Sequence, residues 1–345
     1  MSNSKHLDSC VYFFVKEYKP CIKKRPINKI VENDFFIRNE LTNIQKMKKI
    51  NNCTNYYYVC QNSSELNIIE LNDDDITLDS RTYIKKDSTI LLKFEDRELI
   101  YLKNHLKALS SPRKYISTLI NFYKQLLHSI DLLVCNQIIH NHINFDSIVV
   151  DKNKTALLSN FSFSIDTSRE DIDQYIKHFI IAYDPTYLEW PMEFHLLSYL
   201  LTNKLNSLSS YNIETIISNT ILQNNILHAF GPEVVSSYKE EALHYFKKYV
   251  NRTYEYILTD IMQYYGTWDN YALSIMFLRI LIGIHKTIGI KNKFIILFMK
   301  LLVNNIHLNP LKRFTIKDTI MQFEIILDSL EAKDYKEILD NLTSA

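Results

Sequence analysis

The sequence predicts an α+β protein of two packed lobes, a small strand-rich one over residues 1–96 and a larger, mostly helical one over 97–345. Three observations carry that expectation. Short β-branched and aromatic runs, such as Val11–Val15, Tyr56–Cys60 and Thr89–Phe94, fall in the first hundred residues. After about Arg97 the apolar residues recur at helical spacing instead. Neither an internal repeat nor a low-complexity linker interrupts the 345 residues, a length that suits one large two-lobed unit or two modest domains.

In order along the chain, Val11–Val15 reads as a strand ending at Lys16, followed by a basic, proline-containing loop over Tyr18–Pro26. Phe35, Phe36, Ile37, Leu41, Ile44 and Met47 then mark an amphipathic helix that carries Glu40. The acidic run Asp73–Asp75 reads as a solvated turn. Ile116, Leu119, Ile120, Tyr123, Leu127 and Ile130 form one apolar face of a long helix. Ser111-Pro112 opens it, with proline in the first turn where its missing N–H is harmless. The helix ends near Asn136-Gln137, and Ile138-Ile139 leads into a polar loop. Val149-Val150 and Ala156–Leu158 are strand-like pieces around the turn Asp151–Asn153. Beyond Pro191 the periodic stretches 213–230, 240–265, 271–284, 294–306 and 316–330 predict helices.

Composition excludes several classes. Forty Lys+Arg against 39 Asp+Glu leave no global field for nucleic acid or anionic lipid. No hydrophobic run approaches the roughly 20 residues of a membrane span, and the polar N-terminus, Met1–Cys10, has no signal-peptide core. Five scattered cysteines without a CxxC pair predict reduced thiols in an intracellular, cytoplasm-like compartment and no zinc site. Only four glycines occur, none before Gly231. A glycine-rich loop lets the backbone approach a phosphate closely, so the sequence holds no such cradle. No metal site is expected.

The run Ile139-His-Asn-His-Ile-Asn-Phe-Asp-Ser-Ile-Val149 resembles the H-R-D-L-K-x-x-N-I catalytic loop of protein kinases. Eighteen residues after His142, Asn160-Phe-Ser162 stands where that family has D-F-G. Trp190-Pro-Met-Glu193 resembles A-P-E, and Asn309-Pro-Leu-Lys-Arg313 resembles the closing N-P-x-x-R element. Asp269, in Trp268–Ser274, resembles the aspartate that opens the central helix of the large lobe. The stretch 199–265 is longer than the family has there and looks like a helical insertion. Taken whole, the chain is most similar to divergent kinase-like proteins of large DNA viruses, which implies a host-cytoplasm setting.

The resemblance implies roles, position by position. His140 stands at the H of H-R-D, His142 at the catalytic Asp, Asn144 at the loop lysine, Ser147 at the metal-binding amide, and Asn160 at the magnesium carboxylate. Lys16 and Glu40 match the lysine–glutamate pair that holds ATP phosphates; the competing reading makes them an ordinary surface lysine and helix residue. Glu193, Asp269 and Arg313 match structural positions, with Arg313 the partner of Glu193 and Asp269 the acceptor of loop N–H groups. Phosphoryl transfer needs positioned charge around Mg²⁺ and phosphate. Neutral Asn160 cannot supply a carboxylate to a hard cation. His142 alone keeps acid–base capacity, against the plainer reading of a loop residue satisfying backbone groups. Asp146, Asp151 and Asp166 are further carboxylates nearby, with turn or surface roles as the default.

These positions imply a catalytically impaired kinase-like protein acting as an interaction or regulatory module for a protein partner, without nucleic acid, membrane or cofactor. The alternative is an unconventional ATP- and Mg²⁺-dependent Ser/Thr protein kinase.

Overall fold

A computed structural model describes residues 27–32, 35–65, 89–94, 98–109, 112–180, 182–288 and 293–329. The expected strand at 11–15, Lys16, the loop 18–26 and the acidic run 73–75 lie outside the described residues. The protein is α+β, mostly helical with small antiparallel sheets. It forms two compact units, one of Met1–Leu109 with Phe145–Ser162 and one of Ser110–Asn144 with Phe163–Ala345.

In the first unit, β1 (Ile27–Glu32), β3 (Thr89–Phe94) and β2 (Cys60–Glu65) make an antiparallel sheet in the order β1-β3-β2. Strand β3 is the one its β-branched and leucine run predicts. Strand β1 has no counterpart among the expected strands, and the strand expected at Tyr56–Cys60 begins only at Cys60. Residues 56–58 instead lie along β7 (Ala156–Leu158), with the Tyr58 N–H donating to the Leu158 carbonyl at 2.8 Å. Helix α1 (Phe35–Met47) buries Ile37, Asn39, Glu40, Asn43, Ile44 and Met47. A second sheet joins β4 (Leu99–Tyr101), β6 (Ile148–Asp151) and β7, so the helical region begins with a strand before α2 (Leu102–Lys107). In the β6–β7 turn the Asp151 carboxylate accepts from the Asn153 and Thr155 N–H groups at 2.8 and 3.0 Å. That carboxylate is a turn former.

The second unit is built on α3 (Pro112–Cys135), α10 (Trp268–Ile288), α11 (Lys293–Asn305) and α12 (Ile316–Asp328). Tyr123 of α3 sits at their centre, its ring edge-on to Phe277, Phe298 and Phe323, each at 4.8 Å. Beneath it Asn305 bonds Ser274 and accepts from Thr319, at 3.0 Å each. A two-residue ladder pairs β5 (Ile138–Ile139) with β8 (Ile165–Asp166).

The short α4 (Ile172–Tyr175) precedes α5 (Met192–Thr202), and between α5 and α10 local caps override the longer periodic pattern. The helix expected over 213–230 divides into α6 (Ser210–Gln223) and α7 (Asn225–Ala229). Asn224 breaks it by turning its side-chain oxygen onto the Ile226 and Leu227 N–H groups, 3.1 Å each. The pattern over 240–265 divides into α8 (Pro232–Phe246) and α9 (Tyr254–Ile261), the latter capped by Thr253. Gly231, at φ 99°, supplies the backbone conformation that precedes α8. Among the described residues no helix is long and apolar enough to cross a membrane.

Among the described residues, left-handed backbone is otherwise found at Asn52, Gln137, Asn141, Lys154, Asn160, Lys204 and Asn251. A chain almost without glycine thus places asparagine at four of these seven turns, the side chain best suited to that conformation after glycine.

Candidate functional site

Two stretches hold the positions singled out in the sequence, and they fall in different units. The loop 140–144 belongs to the helical unit, while Ser147 and Asn160 belong to the strand-rich one.

In the helical unit the loop follows β5, which pairs with β8 and so fixes its entry. Asp269, in the first turn of α10, takes the His140 N–H on Oδ2 at 2.6 Å and the Asn141 N–H on Oδ1 at 2.9 Å. The His140 carbonyl accepts from the Ser164 hydroxyl at 3.3 Å. The backbone is therefore held on both faces, and Asn141 takes the left-handed turn at φ 59° that lets both N–H groups reach one carboxylate. Burial pushes the Asp269 carboxyl up to about 6, against the pull of the two N–H bonds. Desolvation outweighs them here.

His142 projects from this loop between aromatic rings. The Tyr187 ring lies edge to edge with it, 6.3 Å between centroids and the planes 9° apart, and the Phe163 ring lies 5.0 Å away. The Asn144 amide nitrogen stands 3.1 Å from Nε2. An amide N–H can only donate, so Nε2 is the acceptor and the ring proton sits on Nδ1. That proton points to the Tyr187 hydroxyl at 2.9 Å. The residue as a whole is half-buried, and the crowding around the ring lowers the pKa to about 4 through desolvation. The imidazole is neutral near pH 7, a weak base, and engaged at both nitrogens. Burial raises the Tyr187 phenol as well, so it stays protonated.

Glu193 lies in the first turn of α5 and Arg313 after the Pro310–Lys312 turn. Their side chains meet in two bonds, at 2.5 and 2.9 Å. The Arg313 Nε also donates to the His307 carbonyl at 2.6 Å, and its guanidinium lies over the Tyr271 ring at 5.1 Å.

In the strand-rich unit, Ser147 is buried just before β6, and its carbonyl accepts from the Ser159 N–H at 2.8 Å. Asn160, at φ 64°, turns its side-chain oxygen back onto its own loop, accepting from the Ser162 hydroxyl at 2.6 Å. Phe161 is fully buried edge-on to Tyr57. Asn39 of α1 donates to the Ser162 carbonyl at 2.9 Å. The helix carrying Glu40, which is itself buried, is thereby tied to the Asn160–Ser162 turn. Lys16, the residue proposed to face Glu40, lies outside the described residues. Asp146 is exposed, and Asp166 of the helical unit accepts from the Ser168 N–H and hydroxyl at 3.0 and 2.6 Å.

Sequence reasoning missed Tyr187 and Asn39. Tyr187 sits three residues before Trp190 in a segment without periodicity, so nothing local marked it. Asn39 precedes Glu40 on the buried face of α1, a polar residue at an apolar-facing position, and that burial is the signal that could have found it. Neither a protein-family model nor a curated protein sequence matches the chain.

Proposed function

We propose that the chain is a divergent protein-kinase-like domain that has lost phosphoryl transfer and serves as an interaction or regulatory module for a protein partner. On this reading the strand-rich unit is the small lobe of a two-lobed kinase-like architecture, and the helical unit is the large one. The observation that carries the reading is a contrast within one loop. Asp269 still gathers the loop backbone through His140 and Asn141, while His142, at the catalytic-Asp position, has both ring nitrogens engaged and a pKa near 4. A general base must reach the proton it abstracts with a pKa matched to the working pH. His142 meets neither condition.

The supports around it favour continued use of the frame. The Glu193–Arg313 pair is maintained although it crosses 120 residues of sequence, and Asn160 serves its own turn. Thermal unfolding with ATP and Mg²⁺ tests the proposal. The expected result is no magnesium-dependent shift and no labelled phosphate transferred to a generic acceptor or to the chain itself. A magnesium-dependent stabilisation that disappears in Lys16→Ala, or transfer abolished in His142→Ala, would overturn it in favour of an unconventional Ser/Thr kinase.

A further inference from the structure

In the helical unit a small pocket lies between the loop at Asn141, the segment Glu189–Pro191 and the start of α10 at Trp268–Asp269, with Phe194 among its lining residues. The space open to a water centre is about 10 Å³, room for about one molecule. Three of its lining residues carry buried N–H groups that have no hydrogen-bond partner among the described residues: Asn141 Nδ2, Trp190 Nε1 and Trp268 Nε1. The parent side chains are 8%, 5% and 3% exposed, so bulk solvent does not satisfy them. Orphaned buried donors are rare because each forfeits its hydration. Three around one cavity point to a shared acceptor.

The same wall bears two carboxylates. Glu189 is paired with Arg279, and each Asp269 oxygen accepts one backbone N–H and retains a second lone pair. An anion would face net negative charge there, because Arg279 offsets only one of the two carboxylates. A cation would face the three N–H groups. A neutral molecule that both accepts and donates suits both sets, with two lone pairs toward N–H groups and two protons toward carboxylates.

We propose that this cavity is a structural water site. One ordered water accepts from two of the three N–H groups and donates to the Asp269 carboxylate. It joins the loop 140–143, the segment before α5 and the first turn of α10 into a single hydrogen-bonded junction. This inference does not depend on the kinase-like reading, since it rests on donors, acceptors and space alone.

The chain has two tryptophans, so the ¹⁵N-labelled full-length protein gives two indole N–H signals, assigned through Trp190→Phe and Trp268→Phe. The expected result is a cross-relaxation peak from at least one indole proton to a water that stays bound longer than the protein takes to tumble. A crystal structure of the wild-type chain at a resolution that shows ordered water should place a peak within hydrogen-bond distance of two of the three donors. It decides the matter should either variant fail to fold. Indole protons that see no long-lived water, or a dry cavity in which these N–H groups reach protein acceptors directly, would overturn the proposal.

Discussion

Arg313 and Glu193 face each other in parallel, Nη1 to Oε1 at 2.5 Å and Nη2 to Oε2 at 2.9 Å, with both side chains at most 1% exposed. The fork of a guanidinium matches a carboxylate in this geometry and no shorter side chain reproduces it. Burial works against the arginine's charge, yet the Glu193 carboxylate holds its pKa above the usual value. Tyr271 beneath the guanidinium and the carbonyls of His307 and Leu308 fill its remaining sides. The segment that starts α5 is thereby fastened to the turn that precedes α12.

Removing one partner strands the other in a dry site. Glu193→Ala and Arg313→Ala should each destabilise the chain by about 3–5 kcal/mol, read by urea unfolding with the slope compared to wild type. Glu193→Leu combined with Arg313→Met should lose less than either single change, because no charge is left uncompensated. A double variant as unstable as the sum of the singles would mean that the pair's charge contributes little.

Why was this pair legible while other contacts were not? Glu193 and Arg313 each lie in a short motif with a proline at fixed offset, and Asp269 opens a helix after a tryptophan, so residue type and position coincide. Helices α1, α3, α11 and α12 were legible for a related reason: their apolar positions keep one face over several turns. The breaks at Asn224 and Thr253 were hidden because a cap is a competition between side chain and backbone that periodicity does not register. Strand β2, Cys-Gln-Asn-Ser-Ser-Glu, lacks β-formers and is set by its partner β3. The Tyr187–His142 contact spans 45 residues and depends on the path of an aperiodic segment.

Asp269 makes stability depend on pH in a defined direction. Its carboxyl is raised from 3.8 to about 6 in the folded state, so the folded chain binds this proton more tightly than the unfolded chain. The contribution is fully present below about pH 4 and is lost as pH rises toward 6, an effect of ~3 kcal/mol. Asp269→Asn cannot titrate and leaves one of the two loop N–H groups against an amide. Unfolding free energies measured at pH 4, 5, 6 and 7 should show the wild-type advantage over this variant shrinking across the interval. A gap that stays constant would refute the assignment.

The histidines act with the opposite sign. His142 and His195 are both lowered from 6.5 to about 4 by desolvation, so the unfolded chain takes up these protons first. Their contribution is present above about pH 6.5 and is lost as pH falls toward 4. Titration of the His142 ring by NMR should show it neutral at pH 6. Tyr187→Phe removes the partner of Nδ1 while keeping the ring, and should weaken the thermal transition slightly. A His142 that titrates near 6.5 would restore it as a candidate base.

Asn305 centres a polar network in the helical core. Its amide donates to the Ser274 hydroxyl at 3.0 Å and, at 3.4 Å, to the Tyr123 hydroxyl and the Asn270 side-chain oxygen, while its own oxygen accepts from Thr319 at 3.0 Å. Asn270 in turn donates to Thr319 at 2.8 Å. The five residues join α3, α10, α11 and α12 in a region where all of them are buried. Asn305→Leu fills the volume but orphans several of these groups at once, at about 1–3 kcal/mol for each one left unsatisfied. A loss well beyond 3 kcal/mol is therefore expected, and Thr319→Val added to it should cost little more, since its hydroxyl has already lost a partner. If the two changes add independently, the polar residues act as separate contacts and the network does not behave as a unit.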